Sequence, residues 1–536
     1  MSKFSKLLAL MLVIVFSLSL VACGGDEANN DNPTKATETT VADDVTAAAG
    51  ETTTTVAGET TDKQGKTNNK TDGVATTKKT KVNKALVDTS KGVSQTGALI
   101  PRTTNKAGNA SAKFVKSLKG FTLKILYPWE NIYGDKKCKA SAESSIKEVE
   151  DLYGVKIKES GKFSKYNETL ASELAAKKCE NGLYYAQDTY FASYFEKGYI
   201  SDLTSAMRQT GVDFNDPWYI SDAKGFLNID GKQYGWIPYE DEYTTPYCII
   251  YNKKLLNKKK LADPAKLASQ GKWDWETLQK YAKKFDNDKN VTGFGCSHTD
   301  ILLEAIANQY GTKLTKVSRG QQPTTNITDS KVKSALTELS NWCVGKKAWA
   351  ESYVGKAWNY AKNQLAEGKV AMYFGFHDDI QNFAGSSVKG DIGIAPFPNK
   401  KASKSYTNIS IPQFVAFVPI VNQKDAAKIL FIRNEYYRYN YRYINRNFQY
   451  KWKNWLSASD AITNASNIKF GRSGNKIKFS WTEICEDSTA SITTSSVINK
   501  VLTGSSTPAQ AISSNKNALT KTYADVWSGH KITGNV

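Results

Sequence analysis

The sequence predicts an α/β protein built on parallel sheet, and two observations carry that reading. Strand-like and helix-like segments alternate between residues 121 and 188, and residues 116–536 hold the twelve tryptophans, with enough chain for two domains of common size. "FTLKILYPWEN" opens the series as a strand with Phe121, Leu123, Ile125 and Tyr127 on one side, ended by Pro128. "SAESSIKEVEDLYG" sets Ile146, Val149, Leu152 and Tyr153 at helical spacing, with Gly154 as the stop. "VKIKES" is a second short strand, "NETLASELAAKK" a helix capped by Asn167, and "GLYYAQD" a third strand. Strand, helix, strand, helix, strand argues for parallel pairing through right-handed crossovers. Such sheets take ligands beyond the carboxyl ends of their strands. Those ends are Pro128-Trp129-Glu130, the stretch from Glu159 to Tyr166, and Gln187-Asp188-Thr189-Tyr190.

The first residues have a different chemistry. Lys3 and Lys6 precede an apolar run from Leu7 to Val21, short of the roughly 20 residues a membrane span needs. An export signal over residues 1–22 is the expected reading. "LVAC" resembles the bacterial lipobox, which implies that Cys23 is lipidated and becomes the new N-terminus; the alternative is an ordinary signal with an incidental cysteine. Acyl chains would replace the lost apolar helix as anchor, at about 0.8 kcal/mol per buried methylene.

Residues 23–115 are rich in Thr, Ala, Asn, Asp, Gly and Lys, as in "ETTTTVAGETTDKQGKTNNK", and almost lack aromatics. Such a segment cannot bury enough apolar surface to offset its ordering entropy. It reads as a disordered stalk that holds the globular part away from the membrane through a thick wall. The expected location is therefore the extracellular face of the cell membrane of a Gram-positive bacterium. No second apolar run approaches spanning length. The net charge of +20 is spread over short clusters such as "NKKLLNKKKL". On an exported protein that pattern fits a solvated surface beside anionic wall polymers better than a nucleic-acid face.

Cys138, Cys179, Cys248, Cys296, Cys343 and Cys485 are widely spaced, with no CxxC and no zinc-finger pattern, so buried thiols and one or two disulfides both remain open. His298, His377 and His530 are too scattered to suggest a metal site, and no cofactor is expected.

The later segments resemble one family. "NIDGKQYGWIPYEDEYTTPYCIIYNKKLL" is similar to the "dGk-yg-vP … yYNk-l" passage of bacterial extracellular solute-binding proteins, family 1. "WDWETLQKYAKKF" is similar to the helix that follows there; Leu278, Tyr281, Ala282 and Phe285 form its apolar stripe and Asp274 its N-cap. "AEGKVAMYFGFHDDI", "GDIGIAPFP", "SIPQFVAFVPIVNQKDAAKILFI" and "VLTGSSTPAQAISSNKNAL" resemble later family segments, in family order.

The resemblance implies a periplasmic-binding-protein type fold, two α/β lobes joined by a hinge with a ligand cleft between them. It places lobe I at 116–242 with 390–432, and lobe II at 243–389 with 433–536. The crossings are expected near Tyr239 to Thr245, near Gly390, and near residues 431–435. One stretch departs from the pattern. In "RNEYYRYNYRYINRNFQYKWKNWL", Tyr437, Tyr439, Tyr441 and Tyr443 alternate with polar residues, which suggests an aromatic lobe surface.

The function implied is the capture component of an ABC importer, delivering an oligosaccharide to permease subunits. No catalysis is expected. Glu240-Asp241-Glu242 and Asp378-Asp379 are adjacent carboxylates whose side chains diverge on extended chain, which makes poor acid/base pairs, and no GxSxG, HExxH or Walker sequence occurs. A surface polysaccharide enzyme and a static carbohydrate-binding adhesin are the alternatives. The expected cleft residues are Trp129, Glu130, Asp188 and Tyr190 from the first lobe and Tyr239, Asp241 and Tyr243 from the crossing. Trp358, Phe376, His377 and Asp378 complete the set from the second lobe. Aromatic faces stack on pyranose C–H faces while carboxylates and amides bond the hydroxyls.

Overall fold

The computed structural model describes residues 110–534, apart from positions 131, 134, 162–163, 220–224, 238–244, 297, 344–355, 357–358 and 488. The expected signal peptide, Cys23 and nearly all of the stalk lie outside these residues. The globular part begins slightly earlier than the sequence suggests. Residues Ala112–Lys116 form a short helix capped by Ser111, with Phe114 and Val115 buried. Phe114 meets the ring of Phe431 edge-on at 5.6 Å.

Along the chain, β1 (Thr122–Tyr127), α1 (Lys136–Tyr153), β2 (Lys156–Gly161), α2 (Tyr166–Ala175) and β3 (Gly182–Gln187) follow the expected alternation. Then come α3 (Asp188–Glu196), α4 (Thr204–Thr210), β4 (Thr245–Asn252), α5 (Trp275–Lys283), β5 (Thr292–Cys296), α6 (Thr299–Gln309) and β6 (Val370–Phe376). The strands β7 (Ile392–Ala395), β8 (Tyr406–Ile411) and β9 (Phe414–Phe417) precede α7 (Ala426–Asn440), α8 (Ile444–Trp455) and α9 (Ser459–Lys469). The chain closes with β10 (Asn475–Phe479), α10 (Thr482–Cys485) and α11 (Pro508–Trp527).

Local chemistry accounts for the boundaries. Every second residue of β1 is buried, as its alternation requires. Gly154 ends α1 in the left-handed conformation that a Cβ would strain. Asp274 caps α5 by accepting the Thr277 amide at 2.9 Å, and Leu278, Tyr281, Ala282 and Phe285 are buried as the stripe predicts. Asn167 is not a cap. α2 begins one residue before it, after a left-handed Lys165, and the Asn167 amide instead donates to Gln187 Oε1 at 2.8 Å.

Two sheets result. The first has the order β9-β3-β1-β2, with β1 parallel to both neighbours and β9 antiparallel to β3. The second has the order β10-β8-β4-β6-β5, with β7 beside β8 on the same edge of β4. Two expected crossings need correction. β7 and β8 pair with β4 of the second sheet, so the return to the first sheet lies not near Gly390 but at Pro412-Gln413, between β8 and β9. α7 packs on α1 and α4 of the first lobe, so the chain stays with that lobe through Asn440 rather than leaving near residues 431–435.

The Tyr/Arg-rich stretch is also not a surface at its start. Its first half is the buried end of α7, where Tyr436, Tyr437 and Tyr439 are core residues. Trp218 Nε1 and the Tyr219 hydroxyl both donate to Asn434 Oδ1, at 2.9 and 2.7 Å. The six described cysteines are free thiols, five of them buried. No helix among the described residues is long and apolar enough to cross a membrane.

Candidate functional site: a cleft at the strand ends

The crossing at Pro412-Gln413 brings the two sets of strand ends together. β8 ends at Ile411 opposite Thr245, where β4 starts, while β9 starts at Phe414 opposite Gln187, where β3 ends. Gln413 takes a φ of 27°, a strained conformation for a residue with a Cβ, and its carbonyl accepts the Asp188 amide at 3.0 Å. The carboxyl ends of β1, β2 and β3 thus face the same junction as the ends of β5 and β6.

On the first lobe, Trp129 follows Pro128 at the end of β1 and is half-buried. Its ring lies 4.8 Å from Phe414 and 5.2 Å from Tyr127. Gly161, ending β2, is required for that placement, since a Cβ there would lie 1.8 Å from the Trp129 carbonyl oxygen. Glu130 is exposed, and Tyr190 is half-buried and stacked on Tyr194 at 5.9 Å. Asp188 opens α3. Its Oδ1 accepts the Thr189 amide at 3.0 Å, while its Oδ2 is buried without a hydrogen-bond partner. Burial, reinforced by Asp300, pushes this carboxyl up to about 7.

On the second lobe, three rings meet at the strand ends. Tyr247 from the start of β4, His298 after β5 and Phe376 ending β6 lie with centroids 4.6 to 5.6 Å apart. Asp379 fixes Phe376 by accepting its amide at 3.1 Å, and is itself paired with Lys362 at 3.1 Å. Burial lowers the pKa of His298, which keeps the ring neutral, and its Nδ1 has no partner.

The expected residues divide. Trp129, Glu130, Asp188, Tyr190 and Phe376 lie at the facing strand ends. His377 and Asp378 follow Phe376 but are spent inside the lobe. His377 bonds Asp378 through Nδ1 and the Ala465 carbonyl through Nε2, both at 2.9 Å, and Asp378 holds Lys469 at 3.1 Å. Burial works to raise the Asp378 carboxyl, but Lys469 and His377 hold it down at about 2. Tyr239, Asp241, Tyr243 and Trp358 lie outside the described residues. Residues the sequence reading missed are Tyr247, His298, Asp300 and Glu483. For His298 a signal existed, because it lies within two residues of a strand's carboxyl end, as Trp129 and Asp188 do.

No group of His, Cys, Asp and Glu among the described residues is arranged to hold a metal ion. A cavity of about 480 Å³ lies elsewhere, beside α9 at the amino ends of β8 and β10.

The model of one family, bacterial extracellular solute-binding proteins, matches residues 144–427. The chain belongs to that family. It is a family of binding proteins rather than enzymes. No curated protein sequence matches this solute-binding protein. Solved structures share its fold at low identity. An ABC substrate-binding protein of Listeria monocytogenes in complex with cycloalternan is 19% identical, with a TM-score of 0.53 over 75% of this chain and 98% of that one. Maltose-bound MalE3 of T. maritima is 14% identical, with a TM-score of 0.51 over 75% and 99%. A cyclo/maltodextrin-binding protein complexed with maltotetraose is 15% identical, with a TM-score of 0.53 over 75% and 97%.

Proposed function

We propose that this solute-binding protein captures an oligosaccharide for an ABC importer and hands it to membrane permease subunits, held at the extracellular face of the membrane by lipid on Cys23. The observation that carries the saccharide is the pairing of half-buried rings and polar atoms at both sets of strand ends: Trp129 and Asp188 on one side, Phe376 and His298 on the other. A pyranose presents apolar C–H faces to rings and hydroxyls to carboxylates, and this site offers both. The fold shared with proteins whose structures hold cycloalternan, maltose and maltotetraose supports the same reading. The two-lobed architecture supports capture by closure.

The deciding measurement is a thermal-shift screen against oligosaccharides. A ligand present at 100 times its dissociation constant is expected to stabilise the protein by about 2.7 kcal/mol, and scattering should show compaction as the lobes close. A melting temperature unmoved across glucan, xylan, mannan and chitin oligomers would sink the carbohydrate reading.

Trp129→Ala is expected to weaken the identified saccharide by about 1–3 kcal/mol, the range for loss of a stacking aromatic. The ligand-free protein should lose less than the about 3–5 kcal/mol of a core tryptophan, since Trp129 is half-buried. Calorimetric titration and thermal melting of the same variant separate the two effects. Unchanged affinity would remove Trp129 from the site.

A further inference from the structure

Three carboxyls converge where the lobes meet. Asp188 opens α3, Asp300 lies in the first turn of α6, and Glu483 lies in α10, which packs directly on α3. Glu483 is hydrogen-bonded to Asp300, whose Oδ2 also accepts the Ser495 hydroxyl at 2.8 Å. Among the described residues, no lysine or arginine forms an ion pair with any of the three. Lys362 and Lys469 of the second lobe are taken by Asp379 and Asp378.

Two buried polar atoms at this cluster have no hydrogen-bond partner within the protein. Asp188 is 3% exposed and its Oδ2 bonds to nothing. The Tyr247 hydroxyl is fully buried, also without a partner, and Glu483 and Asp300 are the charges that act on it most. Leaving such atoms unpaired is costly, so a site that keeps two of them beside three carboxyls is shaped for a polar ligand. The groups packed around it supply no positive charge. Glu486 accepts from Thr494 and Tyr523, Glu304 accepts the Leu314 amide at 3.0 Å, and His298 is neutral. Lys313 bears on Glu304.

Resting on the carbohydrate reading above, we infer that the ligand carries a protonated amine, an amino-sugar oligomer whose ammonium sits among Asp188, Asp300 and Glu483. An ammonium brings one positive charge and three N–H donors, which suits one donor to each carboxyl. A neutral sugar supplies donors but leaves the charge uncompensated. Burial holds the protons on Asp188 and Glu483 in the ligand-free protein. Entry of the ammonium ionises a carboxyl, and its proton passes to solvent. Amine binding is thus coupled to proton release, and binding of a neutral sugar is not.

Calorimetric titration of the full-length protein in detergent at pH 7 tests this, with the β-1,4-glucosamine tetramer, its N-acetylated counterpart and maltotetraose. The amine tetramer is expected to bind at least about ten-fold tighter than either neutral tetraose, as a desolvated charge pair allows. It should release protons when buffers of different ionisation enthalpy are compared. Glu483→Gln and Asp300→Asn, both of nearly unchanged shape, should bring the ratio of amine to neutral affinity close to one. Neutral tetraoses binding as tightly as the amine, or amine binding without proton release, overturns the inference and leaves the carbohydrate reading standing. No binding by these or by the wider oligosaccharide panel overturns both.

Discussion

Replacing Glu435 by alanine is expected to cost about 3–5 kcal/mol of stability, because it strands a buried charge. Arg433, Asn434, Glu435 and Arg438 on α7 are all fully buried. Arg438 Nη2 lies 3.1 Å from Glu435 Oε2, and the Tyr153 hydroxyl donates to the same oxygen at 2.8 Å. Arg433 donates to the hydroxyls of Tyr185 and Tyr127 at 3.0 and 3.2 Å, with its guanidinium 3.8 Å from the Tyr437 ring. Without the Glu435 carboxylate, the Arg438 guanidinium keeps its desolvation penalty and loses its counter-charge. A double replacement, Glu435→Leu with Arg438→Met, removes both charges and should lose less than Glu435→Ala alone. Urea unfolding of the three proteins decides. A midpoint for Glu435→Ala equal to wild type, or a double variant weaker than the single one, would contradict the account.

This helix also marks where sequence reasoning stops. β1, α1, β2 and β3 were legible because their burial is set locally, by alternation in Thr122–Tyr127 and by a left-handed Gly154 after Tyr153. α7 buries Arg, Asn and Glu, which no apolar stripe announces; tyrosines from β1, β3 and α1 make those groups acceptable. Tyr437 was legible as aromatic but not as interior. The sheet to which Ile392–Ala395 and Tyr406–Ile411 belong was equally hidden. The first is a four-residue apolar strand and the second mixes Thr, Asn and Ser with its apolar residues, and only pairing with a strand more than a hundred positions earlier places them.

The cleft divides in the same way. Trp129 and Asp188 could be found because parallel strand ends bind ligands. Tyr247 could not, since it starts an antiparallel strand, nor Glu483, which comes from a four-residue helix near the other end of the chain. Asp378 looked like a free carboxylate because its partner Lys469 is 91 positions away.

The second large effect expected is an inverted pH dependence of stability over mildly acidic pH. Burial pushes Asp188, Glu304 and Glu486 up to about 7 each, against roughly 4 for the same groups in an unfolded chain. Between those values the unfolded state has released its protons and the folded state still holds them. Stability therefore falls as pH rises from about 4 to 7, by about 1.4 kcal/mol per pH unit for each carboxyl that keeps its proton. Above 7 both states are ionised and the slope disappears. Groups that act in the opposite sense include His298 and Asp378. His298 is held neutral, so it favours unfolding as pH drops below about 6.5. Asp378, held down at about 2 by Lys469 and His377 against its burial, contributes stability that is complete above about 4 and lost as pH falls toward 2. The raised carboxyls, Glu483 among them, outnumber the one histidine over this range, which places the optimum near pH 4–5. Glu304→Gln isolates one contribution with little change of shape. Relative to wild type, its melting temperature should be higher at pH 7.5 than at pH 4.5, because the amide has no proton to lose. If the difference between Glu304→Gln and wild type is the same at both values, Glu304 is ionised in the folded protein and does not hold the proton assigned to it.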